Sequence, residues 1–133
     1  MYKTKQVHHS LDKDLRIAGL KECVKRYIPL DENYRMWPEA LESAILKDKT
    51  SGLIPWLIIA SAGTVDTGSV DPLVEIGQIA ERHQLWFHID GTYGAFFWCC
   101  AKKVKKILKG MDISDSIVMD PYAKSAVEYA LGE

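Results

Sequence analysis

The chain has 133 residues, of which 47% are hydrophobic and 26% charged, and its formal net charge at pH 7 is −1. This length suits one domain with its own core and is short for two. The near-neutral charge gives no electrostatic reason to expect nucleic acid or an anionic membrane as a partner, and no apolar run approaches the ~20 residues that cross a bilayer.

The cysteines and the N-terminus bear on the cellular compartment. Cys23, Cys99 and Cys100 do not suggest a disulfide framework, because their number is odd and two are adjacent. The N-terminal stretch MYKTKQVHHS is polar and lacks the apolar core of a signal peptide. We therefore expect a reducing, cytoplasmic location.

The first half of the chain predicts two helices and one strand. Residues 1–7 have no clear partner. A helix is expected over residues 11–18, capped by Ser10, and a short strand over residues 24–28. Pro38 suits the first turn of a second helix, because its fixed φ is already helical there.

The second half predicts two apolar strands around a third helix. The first strand covers residues 55–61 and ends in a loop rich in Gly, Thr and Asp. Asp71 is expected to cap the helix that follows, with Pro72 at its first position. The second strand, residues 85–89, is a nearly continuous apolar run, which is typical of a strand covered on both faces.

Three further elements follow. Residues 101–108 carry lysines around an apolar stripe and predict a basic amphipathic helix whose lysine face is solvated. A short strand is expected over residues 115–119, and residues 122–133 have helical composition.

Strands that alternate with helices predict an α/β fold, a partial three-layer αβα unit with about four strands in a mostly parallel sheet. Right-handed crossovers would place the strand ends at Ser61, Asp90 and Asp120 on one edge. This edge would also collect Thr64, and ligands bind at such an edge in open α/β sheets.

A metal site is one interpretation of His88 and Asp90, which share one face of a strand. Non-haem iron sites complete such a pair with a second histidine. No histidine follows His88, and His8 or His9 would need an unusual topology to serve. Histidine and aspartate at strand ends are more often hydrogen-bonded structural groups.

A pyridoxal phosphate site is another interpretation. A carboxylate such as Asp90 can hold the pyridine nitrogen protonated, a lysine such as Lys124 can bind the cofactor covalently, and a flat ring such as that of His9 can stack on it. These residue types are common, so their spacing alone leaves both interpretations open.

Residues 6–121 resemble the central part of the large domain of the group II pyridoxal-phosphate-dependent amino acid decarboxylases, which include the aromatic-amino-acid and glutamate decarboxylases. The resemblance implies an aspartate-aminotransferase-like (fold type I) domain, pyridoxal phosphate as cofactor, an amino acid substrate, decarboxylation and a homodimer. The stretches that carry it are HHSLDKDLRIAGL, YIPLDENYRM, GLIPWLIIASAGTVDTGSVDPLVEIGQIA, LWFHIDGTYGAFF and LKGMDISDSIVMDP.

The resemblance also implies roles for individual residues. His9 matches the histidine that stacks on the cofactor ring and takes part in the chemistry. Thr64 matches a threonine that faces the cofactor, and Asp90 matches the partner of the pyridine nitrogen. Asp120 precedes the position of the family's Pro-His-Lys, whose lysine binds the cofactor covalently.

The sequence departs from the family pattern at several points. Thr92 stands where the family has an alanine against the ring. Pro-His-Lys is replaced by PYAK at residues 121–124, which places Lys124 one residue late. We therefore expect a partial large domain over residues 1–121 and a divergent tail over residues 122–133.

No Ser/Gly-rich phosphate-binding turn precedes His9 in this sequence. An inactive fragment of a decarboxylase is accordingly the expected state. A non-catalytic remnant or interaction protein without cofactor is the alternative, and an oxygenase that uses His88 and Asp90 is a second one.

Overall fold

The computed structural model describes residues 1–95 and 108–120. Their elements in chain order are β1 (Tyr2–Lys3), α1 (Ser10–Ile17), β2 (Arg26–Tyr27), α2 (Pro38–Thr50), β3 (Leu57–Ser61), α3 (Leu73–His83), β4 (Trp86–Asp90), a 3-10 turn (Met111–Ile113) and β5 (Ser116–Val118). The strands form one sheet in the order β2–β1–β3–β4–β5, and every neighbouring pair is parallel. The α/β class with a mostly parallel sheet is thus confirmed, with five strands in the described residues where about four were predicted.

The two faces of the sheet are covered by different helices. The chain moves from β1 outward to β2 through α1, and then in the opposite direction to β3 and β4 through α2 and α3. Because such crossovers are right-handed, the reversal places α1 on one face and α2 and α3 on the other. The core separates accordingly: Ile58 and Ile89 belong to one cluster, and Leu15 and Ile59 to the other. The strand order reverses between β1 and β3, where a ligand site is expected in this architecture.

Strand β1 lies within the segment that was predicted to have no partner, and that prediction is wrong. Tyr2 pairs with both Arg26 and Ile58, and the Lys3 side chain is only 2% exposed. The Lys3 ammonium donates to the Asp12 carboxylate at 3.0 Å. This ion pair offsets the free energy that is lost when the charged group is buried. Strand β1 has only two residues and one of them is a lysine, so the sequence contains no apolar run that would predict it.

The helix starts agree with the sequence only in part. α2 begins at Pro38 as predicted. Ser10 is the first residue of α1 and makes no side-chain cap. Asp71 does not cap α3 either: Pro72 occupies the cap position, and the Asp71 carboxylate instead accepts the Met36 N–H at 2.6 Å and the Ser61 N–H at 2.7 Å. Burial raises the pKa of Asp71, and these two amide donors act against that rise.

The expectation that β4 is covered on both faces is wrong for one face. Phe87 and Ile89 are buried, but Trp86 on the opposite face is 54% exposed. The open face carries a groove of about 650 Å³, whose lining residues are Leu11, Pro55, Trp56, Leu57, Ile59, Gln84, Trp86 and His88. Alternating burial along β4, with His88 and Asp90 half-buried, replaces the continuous burial that the apolar run predicted.

Two predicted helices lie wholly or mostly outside the described residues. The helix predicted over residues 101–108 lies outside the described residues except at Leu108, and the helical tail over residues 122–133 lies outside them entirely. Within residues 1–95 and 108–120, no helix combines the length and the apolar character needed to cross a bilayer.

A buried phenol predicts how stability responds to alkaline pH. Tyr2 donates to the Asp48 carboxylate at 2.9 Å, and burial first, then this bond, raises the pKa of Tyr2 above its ordinary 10. Because the folded state keeps a proton that the unfolded chain releases near pH 10, this contribution is present below pH 10 and is lost as pH rises above it. Tyr2→Phe should lower the free energy of unfolding by about 1 kcal/mol at pH 7 and flatten its decline above pH 10.

Urea unfolding at pH 7, 9 and 10.5 measures this effect. Tyr27→Phe is the matched control, because Tyr27 lies on neighbouring β2 and is half exposed. An identical decline above pH 10 in wild-type protein and Tyr2→Phe would contradict the prediction.

Candidate functional site

The carboxyl edge of the sheet contains a small cavity where three connections meet. Its volume is about 100 Å³, and its lining residues are Gln6, His8, Ser61, Gly63, Thr64, Val65, Asp90, Thr92 and Tyr93. They come from the last residues of β3 and β4 and from the segments that follow β1, β3 and β4. The predicted meeting of strand ends is confirmed, since Ser61 pairs with Asp90, and Asp90 with Val118 of β5.

Two glycines allow the turns after β3 and β4 to pack against each other. Gly63 has a φ of +90°, and a Cβ there would lie 3.0 Å from the Gly94 Cα. A Cβ on Gly94 would overlap the carbonyl oxygen of Ala62. Only glycine fits this approach, and it brings the residues that follow Ser61 and Asp90 to the same cavity.

Within the described residues, one carboxylate oxygen of Asp90 is hydrogen-bonded and the other is not. Oδ1 accepts the Thr92 hydroxyl at 2.9 Å and the Thr92 N–H at 3.3 Å. Oδ2 has no hydrogen bond to any residue within 1–95 or 108–120. The hydroxyl of Thr92, which departs from the family pattern, thus fixes the orientation of the carboxylate.

Thr64 is held by a cluster of hydroxyl groups. Its Oγ1 lies 2.7 Å from Thr67 Oγ1 and 3.1 Å from Ser69 Oγ. Ser69 Oγ in turn lies 3.2 Å from Gln6 Oε1, so the cluster connects the β3 turn to the segment after β1. Thr64 is buried, which means that its hydroxyl is positioned by protein contacts and not by solvent.

The two adjacent histidines occupy different positions. His8 lines the cavity, whereas His9 is the exposed N-cap residue of α1 and is not among the lining residues. Their ring centroids lie 4.1 Å apart. The Ser10 N–H donates to His8 Nδ1 at 3.3 Å, so Nδ1 acts as an acceptor and the neutral ring carries its proton on Nε2.

Ser61 is a lining residue that the sequence placed at the shared edge as a strand end but did not predict as a site residue. Its side chain is 3% exposed, and its Oγ has no hydrogen-bond partner within the described part of the chain. It pairs with Asp90 across the β3–β4 ladder. The signal in the sequence was its place as the last residue of an apolar strand, directly before the Gly-rich loop.

The metal interpretation finds no support in the described residues. Trp86 Nε1–H donates to Ser116 Oγ at 2.8 Å, and Ser116 Oγ forms a hydrogen bond with His88 Nδ1, also at 2.8 Å. Burial lowers the pKa of His88, and the nearby Asp90 charge opposes this. No group of three or more potential metal ligands occurs in residues 1–95 and 108–120.

The remaining candidates lie beyond β5 or outside the described residues. Asp120 follows β5 at the edge of the sheet that holds the cavity and is half-buried. Lys124, Cys99 and Cys100 lie outside the described residues, so the predicted covalent role of Lys124 stays a prediction.

The arrangement fits a cofactor with a protonated pyridine ring. Among the described residues, Oδ2 of Asp90 and the hydroxyl of Ser61 have no hydrogen-bond partner, which leaves an acceptor for an N–H⁺ donor and further hydrogen-bonding capacity that a ligand can use. His8 supplies a flat ring at the same cavity. A buried polar atom without a partner is rare in native proteins and needs a reason such as this.

Comparison with known proteins agrees with this chemistry. The family model described as "Pyridoxal-dependent decarboxylase conserved domain" matches residues 1–130, which runs past the boundary predicted at residue 121, and that boundary stays a prediction. Tryptophan decarboxylase 2 of Oryza sativa subsp. japonica is 38% identical over 92% of this chain and 25% of its own length. Aromatic-L-amino-acid decarboxylase of Bacillus atrophaeus is 34% identical over 99% of this chain and 27% of its length.

Solved structures give the same result. The crystal structure of mouse CSAD matches with a TM-score of 0.84 and 33% identity over 90% of this chain and 25% of that chain. Oryza sativa TDC with PLP matches with a TM-score of 0.81 and 32% identity over 90% of this chain and 26% of that chain. The chain spans about a quarter of the length of the curated relatives it matches. It belongs to the pyridoxal-dependent decarboxylase family, with the fold type I sheet and pyridoxal phosphate as the cofactor of that family.

Proposed function

We propose that this chain supplies the ring-binding part of a pyridoxal phosphate site for the decarboxylation of an amino acid. The observation that carries the proposal is Asp90 at the carboxyl end of β4, which lines the cavity, has Oδ1 held by Thr92 and has no hydrogen bond to Oδ2 among the described residues. A carboxylate in this state keeps a ring nitrogen protonated, because it accepts the ring N–H⁺ in a charge-assisted hydrogen bond.

The other lining residues have complementary roles in the proposed site. When bound, pyridoxal phosphate supplies a ring that accepts the electron pair left behind as the α-carboxylate departs as carbon dioxide. In this proposal His8, a lining residue of the cavity, stacks on that ring, which is the role that the resemblance assigned to His9. Thr64, fixed by its hydroxyl cluster, contacts the ring edge or its substituents.

The relatives support an amino acid substrate without narrowing it further. Their names include tryptophan, histidine and cysteine sulfinic acid decarboxylases, which differ in side-chain size and charge. The resemblance also supports a homodimer. The one-residue offset of Lys124 relative to the family's Pro-His-Lys supports low activity of this chain by itself, since such an offset turns a side chain by ~100° on a helix.

Covalent trapping tests the proposal. The purified chain is incubated with pyridoxal phosphate, reduced with borohydride and analysed by mass spectrometry of its peptides. We expect the cofactor mass on Lys124, lost in Lys124→Ala and kept in Lys109→Ala, whose side chain is exposed. Release of carbon dioxide from tryptophan, histidine and cysteine sulfinate measures activity.

Other outcomes identify the alternatives. A folded chain that neither binds nor is labelled by pyridoxal phosphate would contradict the proposal and favour an interaction protein without cofactor. Stoichiometric iron in the purified chain would instead favour the oxygenase built on His88 and Asp90.

A further inference from the structure

The hydroxyl of Ser61 is buried and makes no hydrogen bond within the described part of the chain. Its Oγ finds no hydrogen-bond partner among residues 1–95 and 108–120, although the side chain is 3% exposed. An unpaired buried hydroxyl destabilises the folded state. Such a group is retained where a bound ligand, ion or water completes it.

Two hydrogen bonds between the backbone of Ser61 and Asp71 fix the position of Ser61 at the end of β3. Asp71 Oδ2 accepts the Ser61 N–H at 2.7 Å, and the Ser61 carbonyl accepts the Asp71 N–H at 2.9 Å. Both bonds are buried or nearly so, since Ser61 and Asp71 are both buried. The backbone of Ser61 is therefore held at the wall of the cavity that the residue lines.

Ser61 and Asp90 lie next to each other at the wall of the cavity. They are direct partners in the β3–β4 ladder, where paired strands lie about 4.8 Å apart and paired side chains share one face. Both residues line the cavity. A donor group that binds Asp90 from the cavity consequently lies next to Ser61 as well.

We propose that Ser61 is a second residue that binds the nitrogen edge of the pyridine ring, with Oγ and Asp90 Oδ2 sharing the N–H⁺ of the ring. This inference rests on the proposed function and adds a binding residue to it. It gives a role to a buried hydroxyl at the end of β3 that has no partner among residues 1–95 and 108–120. It also makes recognition specific for a ring that carries a protonated nitrogen.

Binding and stability are measured separately on Ser61→Ala, Ser61→Thr and Ser51→Ala. The last is the control, an exposed serine at the end of α2. Each protein is titrated with pyridoxal phosphate and with an analogue that carries C–H in place of the ring nitrogen, and is unfolded in urea without cofactor. Ser61→Ala should weaken binding of pyridoxal phosphate about tenfold, bind the analogue like the unaltered chain, and keep or raise the unfolding midpoint. Ser61→Thr should bind like the unaltered chain.

Each other outcome overturns the inference. Unchanged binding of pyridoxal phosphate by Ser61→Ala means that the hydroxyl does not contact the cofactor. An equal loss for the analogue places the contact away from the ring nitrogen, and a lower unfolding midpoint means that Oγ has a protein partner. Failure of the unaltered chain to bind pyridoxal phosphate would overturn the proposed function itself and this inference with it, a result distinct from binding that Ser61→Ala leaves unchanged.

Discussion

Replacement of Asp90 by asparagine is expected to weaken binding of pyridoxal phosphate roughly 10²–10³-fold, because the N–H⁺ of the ring loses its charged acceptor. Asparagine keeps the size of the side chain and can still accept the Thr92 hydroxyl through its amide oxygen. The loss of affinity therefore measures the effect of the negative charge of Asp90 and not a change in side-chain packing. Equilibrium titration of the absorbance of the cofactor at pH 7 measures it.

The same titration has a matched control in Asp66→Asn. Asp66 lies in the neighbouring β3–α3 loop, is exposed, and is not a lining residue of the cavity, so the substitution makes the same charge change outside the site. Its affinity should remain within about twofold of wild type, because an exposed charge is largely screened. Equal affinities for Asp90→Asn and wild-type protein would remove Asp90 from the proposed site.

The position of Asp90 could be predicted because it depends on simple rules. An apolar run that ends in a carboxylate and glycine marks a strand end, and parallel strands place their carboxyl ends at one edge. The β3–β4 register, with Ser61 opposite Asp90, follows from strands of similar length joined by one helix. The same rules put Thr64 at the cavity.

The choice between His8 and His9 could not be made from sequence. Adjacent histidines point in different directions, and which one faces the cavity depends on where α1 begins. α1 begins at Ser10, which makes His9 the N-cap residue and leaves His8 in the preceding turn. Helix starts are uncertain by one or two residues from pattern alone, and this uncertainty is as large as the difference between the two histidines.

Long-range polar contacts account for the other differences. Lys3 belongs to a buried strand because Asp12 and not solvent satisfies its ammonium. Asp71 resembles a helix cap in sequence, yet its carboxylate binds amides from two other segments. Neither contact has a local signal, because the partners lie outside the window in which capping or periodicity is recognised.

Asp71→Asn is expected to lower the free energy of unfolding by about 2–4 kcal/mol. The Asp71 carboxylate accepts one N–H on each oxygen, from Met36 at 2.6 Å and from Ser61 at 2.7 Å. An asparagine amide has one oxygen, so its NH₂ group must face one of these donors, and a buried N–H is left unsatisfied. Asp71→Ala removes both acceptors and should destabilise the protein further.

Urea unfolding at pH 7 ranks the variants, with Asp112→Asn as the control because Asp112 is exposed in the 3-10 turn. The expected order of stability is wild type equal to Asp112→Asn, then Asp71→Asn, then Asp71→Ala. A midpoint for Asp71→Asn equal to that of wild-type protein would show that the two amides do not depend on the carboxylate.

The cofactor titration then separates Asp71 from Asp90. Because Asp71 holds the N–H of Ser61, its replacement also displaces a lining residue of the cavity and should weaken binding of pyridoxal phosphate together with stability. Asp90→Asn should weaken binding while stability changes by less than about 1 kcal/mol, since Asp90 is only half-buried. A carboxylate that organises the site and a carboxylate that binds the cofactor are thereby distinguished by two measurements on the same proteins.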